Sequence, residues 1–134
     1  MYIKEENFKS GEYKKYKYFI HRHEPLGHLC GYVKINSDHK YYSKDYFDMD
    51  IECHGGLTHG EFCLDLWMIE DRTEKYKQIE KYKDLIEKST KSFYIGFDCN
   101  HLDDFSLYND GEYRDMDYVL NEIKSIIDQL ILIK

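Results

Sequence analysis

From Asp115 onward, Val119, Leu120, Ile123, Ile126, Ile127, Leu130 and Ile131 recur at helical spacing and form a wide apolar stripe. A stripe of that width over about four turns has to be buried against another layer, and the chain upstream says which kind. Tyr16, Tyr18 and Ile20 alternate with Lys15, Lys17 and Phe19, a period of two that belongs to a strand. His28 to Ile35 alternates likewise, with Leu29, Gly31 and Val33 on one face and Cys30 and Tyr32 on the other. Pro25 and Gly27 stand between these two runs and predict an antiparallel hairpin. The expected fold is therefore α+β: one domain over residues 1–134, a mostly antiparallel sheet of about five strands backed by the C-terminal helix. Residues 1–12 are polar and read as a loose arm or a short edge strand.

Further strands are expected at Tyr46 to His54, where Phe47, Met49, Ile51 and Cys53 alternate with Asp48, Asp50, Glu52 and His54, and at Glu61 to Ile69. The alternation puts Cys53 in the core and His54 on the wetter, acidic face. The run Ser92 to Cys99 is the most apolar and reads as a central strand. Asp71-Arg72-Thr73-Glu74 has the form of a capping box, and Tyr76, Ile79, Tyr82, Leu85 and Ile86 predict a second, surface helix to about Lys88. Asp103, Asp104, Asn109, Asp110 and Gly111 mark an acidic loop before the last helix.

The chemistry concentrates in two stretches. Glu52-Cys53-His54-Gly55-Gly56-Leu57-Thr58-His59-Gly60 puts titratable residues around a glycine pair that permits a sharp turn, aiming His54 and Thr58 into one space. Gly96-Phe97-Asp98-Cys99-Asn100-His101 repeats the theme of a strand running into small and titratable residues. If the two ends meet, three arrangements follow. His54, Asp98 and His101, with Cys99 as a substitute ligand, would hold a divalent metal with a position open for water. Without metal, Asp98 would orient His54 as an acid or base acting on water or on Thr58. As a binding pocket, the N–H groups of Gly55, Gly56 and Leu57 would form an anion nest while His54, Thr58 and His101 bond a small ligand. In the plainer alternative, the glycines permit a tight hairpin and the histidines bond backbone carbonyls.

With Lys and Arg numbering 19 against 26 Asp and Glu, the formal charge of −7 argues against nucleic acid as a direct partner and favours a cationic one. No apolar run reaches the ~20 residues of a membrane span, and the first residues lack a signal-peptide core, so a cytoplasmic location is expected. In that compartment Cys30, Cys53, Cys63 and Cys99, none in a C-x-x-C pair, read as reduced thiols.

Gly27-His28-Leu29-Cys30-Gly31-Tyr32-Val33, Lys44-Asp45-Tyr46, His54-Gly55-Gly56-Leu57-Thr58 and Gly96-Phe97-Asp98-Cys99-Asn100-His101 with Asp104 carry a resemblance. Tyr113-Arg114-Asp115, Tyr118-Val119 and the helix through Asp128-Gln129-Leu130 extend it. In these motifs the chain, over roughly residues 26–130, resembles a family of small uncharacterised proteins of tailed bacteriophages and prophages. It departs from the family where His59 follows Thr58 in place of an aromatic, and where the 70–90 segment lengthens the link. The resemblance implies an accessory or anti-defence inhibitor acting in a host cytoplasm. Its partner would be a host protein with a basic surface or a small nucleotide-like ligand, with self-association into a homo-oligomer left open. Asp45, Asp48, Asp50 and Glu52, with Asp103, Asp104 and Asp110, would supply a phosphate-mimicking surface for the first. A small metal-dependent or His-Asp hydrolase is the alternative.

Overall fold

The computed structural model describes residues 5–23, 26–69, 83–84, 87–101, 104–106 and 111–133. Five strands form one antiparallel sheet: β1 (Phe8–Tyr13), β2 (Tyr16–Arg22), β3 (Leu29–Ile35), β4 (His59–Leu64) and β5 (Lys91–Asp98), in the order β1-β2-β3-β5-β4. A short helix α1 (Leu66–Ile69) follows β4, and the long helix α2 (Met116–Leu132) closes the chain. The fold is thus α+β, with the expected β2–β3 hairpin and with β5 in the sheet interior between β3 and β4.

Helix α2 covers one face of the sheet. Asp115 caps its first turn by accepting from the Tyr118 N–H at 2.8 Å, and Glu5 accepts from the Met116 N–H at 3.0 Å. Val119, Ile123, Ile126, Ile127 and Leu130 are fully buried against Ile20, Leu29, Val33, Ile35, Phe93, Ile95 and Phe97. The helix packs closely over Gly31, where an added Cβ would lie 3.0–3.1 Å from Phe97, Ile123 and Val119 side-chain atoms. The opposite face carries a smaller cluster of Phe19, Cys63, Met68 and Tyr94, with Phe8 and Tyr32 packed against it.

Of the two expectations for residues 1–12, the short edge strand describes β1, while residues 1–4 lie outside the described residues. β1 pairs along its whole length with β2, and the buried guanidinium of Arg22 donates to Asn7 Oδ1 at 2.9 Å, to the Glu6 and Gly27 carbonyls and to the Tyr113 hydroxyl. One side chain thereby ties the start of the chain to the β2–β3 turn and to the approach to α2.

The expected strand over Tyr46 to His54 is not one. Tyr46–Asp48 is a 3-10 turn capped by Asp45, and residues 49–53 run extended without joining the sheet. Met49 and Ile51 are buried as the alternation required, but α2 side chains take the place of a neighbouring strand. Gln129 Oε1 accepts from the Glu52 N–H at 2.7 Å, Gln129 Nε2 donates to the Glu52 carbonyl at 2.8 Å, and Glu122 accepts from the His54 N–H at 2.7 Å. Period-two burial specifies an extended backbone on a core; it does not specify what satisfies that backbone.

β4 also ends earlier than expected. At Asp65 the chain turns into α1, the Asp65 N–H bonding the Thr90 carbonyl while the carboxylate accepts from Thr90, Ser92 and Tyr94. Leu66 and Met68 are buried from α1 rather than from a strand, and Phe62 is 48% exposed. The surface helix expected over Asp71 to Lys88 lies outside the described residues but for 83–84 and 87–88, which are helical. Pro25, Asp103 and Asp110 also lie outside them.

Because Ile123 is fully buried between helix and sheet over Gly31, Ile123→Ala is expected to cost about 2–5 kcal/mol of unfolding free energy, read by urea denaturation.

Candidate functional site

The ends of the two motif stretches do meet. Gly55 and Gly56 take φ values of +66° and +80°, in a turn closed by the Gly56 N–H on the Cys53 carbonyl at 2.9 Å. The Thr58 N–H then bonds the Gly96 carbonyl at 2.9 Å and feeds the chain into β4 alongside β5. Gly55 is required twice over, since a Cβ there would lie 2.1 Å from His101 Nε2. The rings of His54 and His101 stand 5.6 Å apart at 64°.

The two histidines nevertheless belong to different environments. The His54 side chain is only 13% exposed, not on a wet face: it points inward to a carboxylate that is 1% exposed, Asp104. His54 Nε2 lies 2.6 Å from Asp104 Oδ2, and His54 Nδ1 lies 2.7 Å from the Tyr118 hydroxyl on α2. A carboxylate can only accept, so Nε2 donates to Asp104, and Nδ1 is engaged with the Tyr118 hydroxyl. Asp104 accepts in addition from Arg114 Nε at 2.8 Å and from the His101 N–H at 3.1 Å. The Arg114 guanidinium also lies over the Tyr118 ring, 5.1 Å from its centre. Burial alone would push the Asp104 carboxyl up; the hydrogen bonds from Arg114, His54 and the His101 N–H outweigh it and hold the group below its ordinary value. Burial, and then the charge of Glu122, push the Tyr118 phenol up and keep its proton in place.

Thr58, Asp98 and His101 lie together on the other side of the turn. Thr58 Oγ1 donates to Asp98 Oδ2 at 3.1 Å, the Asn100 N–H donates to Asp98 Oδ1 at 3.0 Å, and His101 Nε2 stands 3.5 Å from that same oxygen. They line a pocket of about 440 Å3 on the sheet face away from α2, together with His23, His28, Tyr32 and His59. Gly96 makes the floor: without a side chain between β3 and β4, Tyr32 and His59 approach across it, ring centres 5.0 Å apart at 85°. Tyr32 in turn stacks on Phe19 at 4.7 Å and on His21 at 5.5 Å, which fixes its plane.

No protein-family model, curated protein or solved structure matches this chain.

Three expectations change with this geometry. The metal set of His54, Asp98 and His101 is not assembled, because His54 spends both ring nitrogens on Asp104 and Tyr118. Among the described residues no group of three or more His, Cys, Asp or Glu side chains is arranged to hold a metal ion. His54 is oriented by Asp104, not by Asp98, which faces Thr58 and His101 across the pocket. Of the three N–H groups expected to form an anion nest, that of Gly56 is taken by the Cys53 carbonyl. Cys99, the substitute ligand, is buried, and burial holds its thiol well above the usual range. Residue spacing did not point to Arg114 or Tyr118 as His54 partners.

His28 and His23 stack face to face at 4.8 Å, and the buried Nδ1 atoms of both rings lack a hydrogen bond among the described residues. Burial first, and the neighbouring His23 second, lower the His28 pKa from 6.5 to about 4. The unfolded chain then binds a proton that the folded chain refuses. The His28 contribution to stability is complete above pH 6.5 and declines as pH falls toward 4. Chemical denaturation across that window is expected to show stability falling with acid, and His28→Phe, which keeps a ring in the stack, is expected to flatten the slope.

Asp104 behaves differently, its contribution persisting down to the ordinary carboxylate value of 3.8 and fading as pH falls through its lower folded value. Asp104→Ala leaves Arg114 Nε and His54 Nε2 without their acceptor, Arg114 keeping the exposed Glu112, and is expected to cost about 3 kcal/mol, measured at neutral pH.

Proposed function

We propose that the protein is a binding protein: a phage-type accessory or anti-defence factor that engages a host component through the pocket over Gly96. The observation that carries this reading is the division of labour between the two histidines. A general base needs one nitrogen free to take a proton from substrate or water. His54 has both engaged, and its phenol partner is held protonated, so the residue best placed to act as a His-Asp catalyst is built into the fold instead. The polar groups that do face an accessible cavity, Thr58, Asp98, Asn100 and His101, are arranged as donors and acceptors around an aromatic floor. Convergent polar groups on a partly apolar cavity of this size are the usual make-up of a ligand site. The net charge of −7 supports a basic surface on the host component, because an acidic protein draws such a partner in and repels polyanions.

The competing hydrolase reading makes a different demand on His54. With bis-p-nitrophenyl phosphate as a generic phosphodiester, turnover is expected to stay at the buffer rate, and His54→Gln is expected to lower Tm by several degrees. Turnover that vanishes in His54→Gln while Tm holds would overturn the binding reading. Native mass spectrometry of the full chain, purified without chelator, would read any retained ligand directly.

A further inference from the structure

We infer that the group this pocket receives is an organic cation, a guanidinium or primary ammonium on an alkyl stem. The inference rests on the binding reading above and adds the chemistry of the ligand. Among the described residues lining the cavity there is one carboxylate, Asp98, and neither a lysine nor an arginine. An anion would find no lysine or arginine there, and the Gly56 N–H of the neighbouring turn is already taken by the Cys53 carbonyl.

A cation finds two complementary features. Asp98 is half-buried, its side chain 31% exposed, and is held in place by Thr58 Oγ1 at Oδ2 and the Asn100 N–H at Oδ1, with His101 Nε2 3.5 Å from Oδ1 as a weaker third contact. A carboxylate has about four acceptor positions, so these two bonds orient the group and leave capacity for a forked donor. Beside it, the rings of Tyr32 and His59 meet nearly at right angles, and an aromatic wall attracts a cation through its π density. A planar guanidinium satisfies both at once, stacking on a ring while two N–H groups reach a carboxylate; an ammonium satisfies them less completely. The cavity of about 440 Å3 has room for the alkyl stem, with Leu26 and Phe97 as its apolar lining. The same chemistry reaches the pocket from two sources: an arginine or lysine side chain of a basic host protein, or a free amine metabolite.

The test is titration of the full-length, isotope-labelled protein with agmatine, with a capped Ala-Arg-Ala peptide, and with inorganic phosphate and AMP as anionic comparators, followed by NMR. Saturable shifts at Thr58, His59, Gly96 and Asp98 are expected with agmatine and the peptide but not with the anions, and Asp98→Asn is expected to weaken them at least tenfold. Tighter binding of the peptide identifies a protein side chain as the source, and tighter binding of agmatine a free amine. Phosphate or AMP shifting these signals while agmatine leaves them unmoved would overturn the cation assignment and leave the binding reading standing. If none of the four probes shifts them and native mass spectrometry finds no retained ligand, both fall. Should Asp98→Asn fail to fold, the wild-type titration decides alone.

Discussion

A carboxylate out of contact with water, Asp104, holds the architecture of the site together. Burying a lone carboxylate is strongly unfavourable, so its place in the fold depends on every donor around it arriving together. Those donors come from separate parts of the chain: His54 from the glycine turn, the His101 N–H from the end of β5, and Arg114 from the approach to α2. The turn, the sheet end and the helix start are therefore fixed relative to one another by one side chain. The pocket, which lies on the far side of the same turn, inherits that rigidity through Thr58 and His101.

Much of the architecture could be read from periodicity. The α2 stripe, its Asp115 cap, the β2–β3 hairpin and the apolar β5 all follow from residue spacing, because each buries one face and pairs with a neighbour close in sequence or wholly apolar. The failures share a cause. Over Tyr46 to His54 the alternation was real, and Met49 and Ile51 are buried, yet the partners for the backbone are Gln129 and Glu122, whose side chains no strand pattern announces. At Asp65 a single residue that collects three hydroxyl donors ends β4 and starts α1, which a run of apolar residues through Leu66 and Met68 conceals.

The site was legible as a meeting of two stretches and illegible in its pairing. Glycines at 55 and 56 implied a sharp turn, and the rings of His54 and His101 are indeed neighbours. Which carboxylate serves which histidine depends on the side of the turn each one faces, and spacing carries no information about that. Asp98 and Asp104 each stand three residues from His101; the first faces its ring, while the second takes its N–H and bonds the His54 ring. His23, His28, Tyr32 and His59 join the cavity only because β3, β4 and β5 lie side by side in an order that the sequence does not spell out.

The segment at 49–54 differs in kind from the strands it resembles. A ladder of main-chain bonds breaks cooperatively, whereas backbone held by the tips of Tyr41, Gln129 and Glu122 loosens one anchor at a time. Peeling that ribbon from the helix would draw the His54 ring away from its carboxylate. A ribbon anchored by side-chain tips thus connects directly to a charge placed out of reach of water, so disturbance of the one is transmitted to the other.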